Sequence, residues 1–303
     1  PVAAAAAAVS AAAAASAAAG GLATAEHRAA KRLLHENVLR ITEVITGHAE
    51  CDFVVSEHCG CGPLAMTGSD GGAFEAVLKD AQELGYAEAD PSFDVDGVDA
   101  AHKLAILASL AFGCEVNFDA VHIEGIRHVS PMDIQFAGEL GYRIKLLGIV
   151  AETETGIEQR VHPCMVAINA PIAAVEGVFN AVVADTDFAD TIMHEGRGAG
   201  AGPTASAVVA DIVDIAAGRR SPTFGVPASE LKKLVVSPME NHVGAFYIRL
   251  MVVDQPGVIA DISAALCDQN VSVESMIQRA RAPGEPVPVV MTTHDSVEAS
   301  VGR

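Results

Sequence analysis

The sequence predicts an α+β protein: a mostly antiparallel sheet with helices on one face, followed by a smaller unit with a βαβ rhythm. Three observations predict it. Between Phe112 and Asp190, the runs CEVNFDAVHIEGI, YRIKLLGIVAET, EQRVHPCMVAI and GVFNAVVADT alternate apolar and polar residues as half-buried strands do. Strands in succession beside helices point to helices segregated on one side of an antiparallel sheet. SPMDIQFAGELG, between the first two runs, begins as helices begin, with Ser130 at the N-cap and Pro131 at the first helical position. From Ala245 onward, FYIRLMVVD reads as a strand, Gln255-Pro256-Gly257 as a turn, VIADISAALCDQN as an amphipathic helix and VSVESMIQ as a strand again.

In chain order, residues 2–20 are mostly alanine, which favours helix, so a low-complexity helix or an unpacked tail is expected there. Alanine is barely apolar and no basic flank precedes the run, so it reads neither as a membrane span nor as a signal peptide. Glu26–Leu39 has helical periodicity, and Ile41–Gly47 (ITEVITG) follows as a strand. The next segment holds His48, Cys51, His58, Cys59 and Cys61, all suitable zinc ligands. The Cys59-Gly60-Cys61 spacing lacks the two-to-four-residue gap of structural zinc sites, so no metal is expected.

Gly85–Lys103 (GYAEADPSFDVDGVDAAHK) is the densest chemistry in the chain. Glu88-Ala89-Asp90-Pro91 is a turn, because Pro91 fixes its own backbone angle and biases Asp90 away from helix. A helix starting near Gly97 or Val98 puts Asp99 and Lys103 four residues apart on one face. The apolar positions Val98, Leu104, Leu107, Ala108, Leu110 and Ala111 continue it, so Lys103 stands where a buried core begins. Burial lowers a lysine's pKa and an adjacent carboxylate raises it, a balance suited to proton transfer with a substrate oxygen. The plainer alternative is a surface ion pair worth about 0.3–0.5 kcal/mol. A calcium loop built on Asp94-Val95-Asp96-Gly97 fails on spacing, since its twelfth position would be Lys103 where a bidentate Glu is needed.

Downstream, His194–Thr204 (HEGRGAGAGPT) reads as a glycine-rich turn opening the helix ASAVVADIVDIA, with Pro203 tolerated in the first turn and Thr204 placed to satisfy backbone donors. Such a helix start can face a nucleotide, but no strand with a distant acidic partner completes a dinucleotide fingerprint. The plainer alternative is that these glycines serve only the turn. The formal charge of −20 excludes nucleic acid and anionic membrane surfaces as expected partners, because either needs a basic face. Six scattered cysteines in 303 residues lack the density of a disulfide scaffold, which fits reduced thiols and a cytoplasmic setting.

The run GYAEADPSFDVDGVDAAHKLAILASLAFG resembles the signature of homoserine dehydrogenase, the NAD(P)-dependent enzyme that interconverts aspartate 4-semialdehyde and homoserine. The resemblance implies that Lys103 is the acid/base on the substrate oxygen with Asp99 beside it. It implies that Glu88 holds the substrate amino group, with Tyr86 and Asp94 lining the same pocket. The glycine segment is similar to one that returns the chain to the nucleotide domain in that family, which implies Gly198, Gly200 and Thr204 as cofactor residues. Asp254–Val258 and the helix after it resemble an ACT domain, a βαββαβ module that binds amino acids. Its effector, threonine on pathway grounds, would sit at Gly257, Val258 and Ile259; the alternative is a tight turn in a module that only mediates assembly.

The implied organisation is a divergent start over residues 1–72, a catalytic and dimerisation domain over 73–220, a linker over 221–243 and an incomplete ACT-like domain over 244–303. In the family an asparagine-glycine-threonine-threonine-asparagine motif follows the early strand, and here that place reads Thr46-Gly47-His48-Ala49-Glu50. No Rossmann βαβ unit is legible before residue 75. The expectation is therefore a homodimer or higher oligomer using NADP or NAD, with little cofactor binding by this polypeptide alone. The competing reading is a non-catalytic amino-acid-binding or dimerising protein of the same fold.

Overall fold

The structure, a computed structural model, describes residues 38–41, 43–45, 53–56 and 92–302, apart from 178, 187, 199 and 280–283. Two compact units divide the chain, Thr46–Ser237 and Pro1–Ile45 with Pro238–Arg303. The early strands are β1 (Val38–Ile41), β2 (Glu43–Ile45) and β3 (Phe53–Ser56). The helix expected over Glu26–Leu39 is contradicted at its end, where Val38 and Leu39 are extended and pair antiparallel with a later strand. Val-Leu-Arg-Ile alternates as a strand does, and sheet pairing overrides the weaker helical periodicity there. The rest of that predicted helix, the alanine run and His48, Cys51, His58, Cys59 and Cys61 lie outside the described residues.

In the larger unit, α1 (Ser92–Val95) and α2 (Val98–Phe112) lead to β4 (His122–Ile123), α3 (Pro131–Glu139), β5 (Tyr142–Thr153) and β6 (Gly156–Ala167). β7 (Phe179–Thr186), β8 (Asp190–Arg197) and α4 (Ala201–Ala216) complete it. The sheet runs β6-β5-β3-β7-β8 with every neighbour antiparallel, and β4 adds to β6 in parallel. One face of β5–β6 takes α2: Ala101, Leu104, Ala105 and Ala108 pack with Leu146, Val150 and Val161. Gly148 lets the helix settle close, since a Cβ there would stand 3.3 Å from Leu104 Cδ1.

CEVNFDAVHIEGI is not the strand expected. Cys114 makes one bridge to Lys232, Phe118–Ala120 is a 3-10 turn, and only His122–Ile123 pairs with β6. Asn117 caps that turn and Asp119 lies within it, and both residue types favour turns over ladders. A second correction concerns burial. β5 from Ile144 to Ala151 and β6 from Ile157 to Val166 are buried on both faces rather than half-buried. Lys145 (9 % exposed) and His162 (0 %) are therefore interior residues, and several of the polar groups on these strands are held, though the Gln159 side-chain amide makes no hydrogen bond among the described residues. Lys145 Nζ donates to the Val175 carbonyl, Arg160 pairs with Glu158, and His162 Nδ1 lies 3.3 Å from Cys164 Sγ.

In the smaller unit, β9 (Val243–Gly244) pairs with β13 (Ser296–Val297), while β10 (Tyr247–Val253), α5 (Val258–Asp268), β11 (Val273–Gln278) and β12 (Pro286–Thr293) form the main fold, with a short α6 (Glu298–Val301) after them. The sheet order is β1-β10-β12-β11, all antiparallel. β10 and β11 are thus parallel, joined through α5, with β12 inserted between them: a split βαβ unit. Ile248, Leu250 and Val252 of β10 point the same way along the strand and meet Ile262 of α5 and Val287 and Val289 of β12 in one core.

Candidate active site

The site begins with how α2 is started. Gly97 caps it in the left-handed region (φ 79°), where a side chain is strained, and a Cβ there would also come within 3.1 Å of Val161 Cγ1. The loop before it is tied down. Ile126 N–H donates to Val95 O at 2.9 Å, and a Cβ on Gly125 would collide with the backbone of Val95 and Asp96. Arg127 grips Asp96 with both Nε and Nη2, the latter at 2.9 Å. Phe93, His102 and Phe118 stack in series at centroid separations of 5.7 and 4.1 Å, clamping α1 against the face of α2 next to Lys103. Both ends of the α1–α2 junction are therefore fixed before any substrate arrives.

From this start the helix presents Asp99 and Lys103 on one face. Lys103 Nζ donates to Asp99 Oδ2 at 2.7 Å, with the lysine side chain 51 % exposed and the aspartate 30 %. Leu104, the next residue, is wholly buried, so the ammonium stands at the boundary between core and solvent. Partial burial pulls the Lys103 pKa below its usual value.

Lys103 and Leu107 form one wall of a cavity of about 430 Å³. The opposite wall is the β7–β8 hairpin, from Asn180, Ala181 and Val182 across to His194, Glu195, Gly196 and Arg197, and it ends at Gly198. Asn180 pairs with Gly196 and Val182 with His194, so these four share the hairpin face that Lys103 sees. Arg197, one register position over, lies across the Phe179 ring at 5.5 Å. At Gly198 a Cβ would come 1.9 Å from Asn180 Nδ2 and 2.6 Å from its Cγ, so a side chain there would have to displace the Asn180 carboxamide.

The structure thus brings together Lys103, Asp99 and Gly198. Asp94 lies on α1, outside the cavity lining, and Gly200 and Thr204 lie beyond the lining at the start of α4. Gly200 (φ 111°) is the N-cap of α4, and no side chain caps it, so Thr204 does not satisfy backbone donors as expected; its own N–H donates to Gly200 O at 3.1 Å. Glu88 and Tyr86 lie outside the described residues. In the smaller unit, Gly257 (φ 101°) starts α5 with Val258 and Ile259 in the first turn, also without a side-chain cap. Among the described residues, no three His, Cys, Asp or Glu side chains gather as a metal site, and no helix is long and apolar enough to cross a membrane.

Sequence reasoning missed Asn180, Leu107, Val182 and the β8 contribution. Reading His194 onward as a turn hid the strand before it. The available signal was the hairpin: two extended runs, FNAVVADT and DTIMHEGR, separated by the short Asp-Phe-Ala connection.

Comparison with known proteins identifies the family. A family profile for homoserine dehydrogenase matches residues 30–213. The homoserine dehydrogenase of Neisseria gonorrhoeae is 44 % identical over 237 residues, covering 76 % of this chain and 54 % of the relative. That of Pseudomonas aeruginosa is 42 % identical over 238 residues, covering 76 % and 55 %. The crystal structure of a homoserine dehydrogenase from Thiobacillus denitrificans superposes with a TM-score of 0.75 at 41 % identity, covering 83 % of this chain and 59 % of that one. The chain spans about half the length of the curated relatives it matches. The matched region holds the Asp99–Lys103 pair, the β7–β8 wall and the glycine segment, and on that ground this chain belongs to the homoserine dehydrogenase family.

Proposed function

We propose that this chain is a homoserine dehydrogenase-type oxidoreductase, interconverting L-homoserine and L-aspartate 4-semialdehyde with NAD(P)H in threonine, methionine and isoleucine biosynthesis. The observation that carries the reading is the meeting of Lys103, paired with Asp99, and Gly198 around one cavity. The cofactor fits this place in one checkable respect: Gly196, with nothing within 4 Å of its side-chain position, offers a stretch of wall without a side chain, which a flat ring can approach closely.

When bound, the nicotinamide supplies or accepts the hydride at the substrate's C4. Lys103 does the proton work: as the ammonium it donates to the aldehyde oxygen in reduction, and as the free amine it takes the hydroxyl proton in oxidation. Asp99 holds the lysine's Nζ in place and steadies its charge. Leu107 and Val182 line the cavity with apolar surface, which strengthens the interaction of Nζ with the reacting oxygen. Glu88 is assigned to the substrate ammonium, with Tyr86 and Asp94 in the same pocket. Gly200 and Thr204 are assigned with Gly198 to the cofactor side.

The domain reading keeps 73–220 as the catalytic and dimerisation domain, with 1–72 before it and 221–243 as a linker. Residues 244–303 are assigned as an ACT-like regulatory domain whose effector, threonine, is held at Gly257, Val258 and Ile259, where the first-turn N–H groups have no side-chain cap. A cytoplasmic homodimer or higher oligomer completes the proposal. The test is NADP-dependent oxidation of homoserine by the purified chain, with Lys103→Ala beside it. Turnover that falls by about 10²–10⁴-fold in the variant is expected. Equal rates in the two proteins, or none in either, overturn the reading.

A further inference from the structure

Two glycines of the segment after β8 are glycines for different reasons. Gly200 sits at φ 111°, a conformation that excludes ordinary side chains. Gly198 is not among the glycines with positive φ, so its backbone does not call for glycine. The constraint at Gly198 is spatial, because the Asn180 carboxamide occupies the volume a side chain would need, with Nδ2 1.9 Å, Cγ 2.6 Å and Oδ1 3.1 Å from the position of a Cβ. Asn180 is held in turn by its strand, paired with Gly196 in the β7–β8 register and lining the same cavity as Lys103.

We propose that Asn180 is a positioning residue for the reaction: its carboxamide fills the side-chain space of Gly198 and so sets how far Gly198 stands from Lys103 across the cavity. The inference rests on the functional reading above and adds a residue to it. The carboxamide stands where a side chain at 198 would go, so a residue larger than glycine there would have to displace it. β7 reaches the central sheet through β3, so the carboxamide is anchored there and not in the segment after β8. A displacement of about 1 Å between hydride partner and proton donor can cost up to about 100-fold in rate, which gives its position kinetic weight. The pairing also accounts for the bulk of the wall: the carboxamide supplies at 180 what residue 198 lacks.

The test is a double-mutant cycle on the full chain with Asn180→Ala, Gly198→Ala and the double variant. One readout is hydrogen exchange of the amides of residues 196–201 without ligand. The other is KM for NADP+ against KM for homoserine. Each single variant is expected to speed exchange in this segment and raise the NADP+ KM by about tenfold, with the homoserine KM within about twofold, and the double variant is expected to be no worse than Gly198→Ala alone. The added methyl group then occupies space that Asn180 has vacated. Penalties that multiply as for independent sites, or an Asn180→Ala protein with wild-type exchange and KM, overturn the proposal. If the wild-type chain does not turn over, the functional reading fails by that result, and the exchange cycle still decides between coupling and independence.

Discussion

Lys103 stands half in water and half against the core, and that position sets a pH signature. Desolvation penalises the ammonium and lowers its pKa. Oxidation of homoserine needs the free amine, so its rate should rise with pH and level off above the lowered pKa, before the pH at which an ordinary lysine would titrate. Reduction of the semialdehyde needs the ammonium and should decline over the same interval. Rate profiles in both directions check the sign, and Lys103→Arg, which stays protonated, should abolish the alkaline rise in oxidation. At this scale the sequence was legible where spacing on one helix decides geometry, as for Asp99 and Lys103. It was silent on Asn180, because an asparagine within an apolar strand becomes a cavity residue only once β8 pairs beside it.

At the scale of elements, α3 shows how local chemistry fixes a boundary. Ser130 and Asp133 form a reciprocal capping box: Ser130 N–H donates to Asp133 Oδ2 at 2.8 Å, and Asp133 N–H donates to Ser130 Oγ at 3.4 Å. Ser130→Ala should destabilise the larger unit by about 1 kcal/mol, read as a loss of roughly 2–4 °C in Tm, with the cavity residues untouched. This start was legible because Ser130-Pro131 is a signal within four residues. The strands were harder to read. LLGIVA in β5 is a continuous apolar run, while Arg160 and His162 in β6 look solvent-facing although Glu158 and Cys164, each two residues away on the same strand, stand beside them in the interior. Periodicity reports a face toward water, and strands buried on both sides have none. CEVNFDAVHIEGI failed for the opposite reason: its alternation is genuine but too short, once Phe118–Ala120 turns, to form a ladder.

For the molecule as two units, the β10–α5–β11 rhythm was readable because each element is local. The partner on the free edge of β10 was not, because it comes from more than 200 positions earlier in the chain, at Val38–Ile41. A split βαβ sheet has an edge beside its first strand, and an uncovered edge is a template for unwanted pairing. Here β1 covers it, with Val38 opposite Leu250 and Ile41 opposite Tyr247. As the outer strand of an antiparallel pair, β1 directs alternate N–H groups toward β10 and the others outward. Single proline substitutions at positions 38 to 41 should therefore fall into two alternating classes. Those that remove an inward N–H should speed hydrogen exchange of Tyr247–Val253 by about tenfold, the effect of ~1.4 kcal/mol of lost local protection, while those that remove an outward N–H are tolerated as edge prolines are. Uniform behaviour across the four positions would mean that β1 does not pair in this register. The alternation would establish that residues 38–41 belong to the sheet of the C-terminal unit, and that this unit needs sequence from both ends of the chain to close its edge.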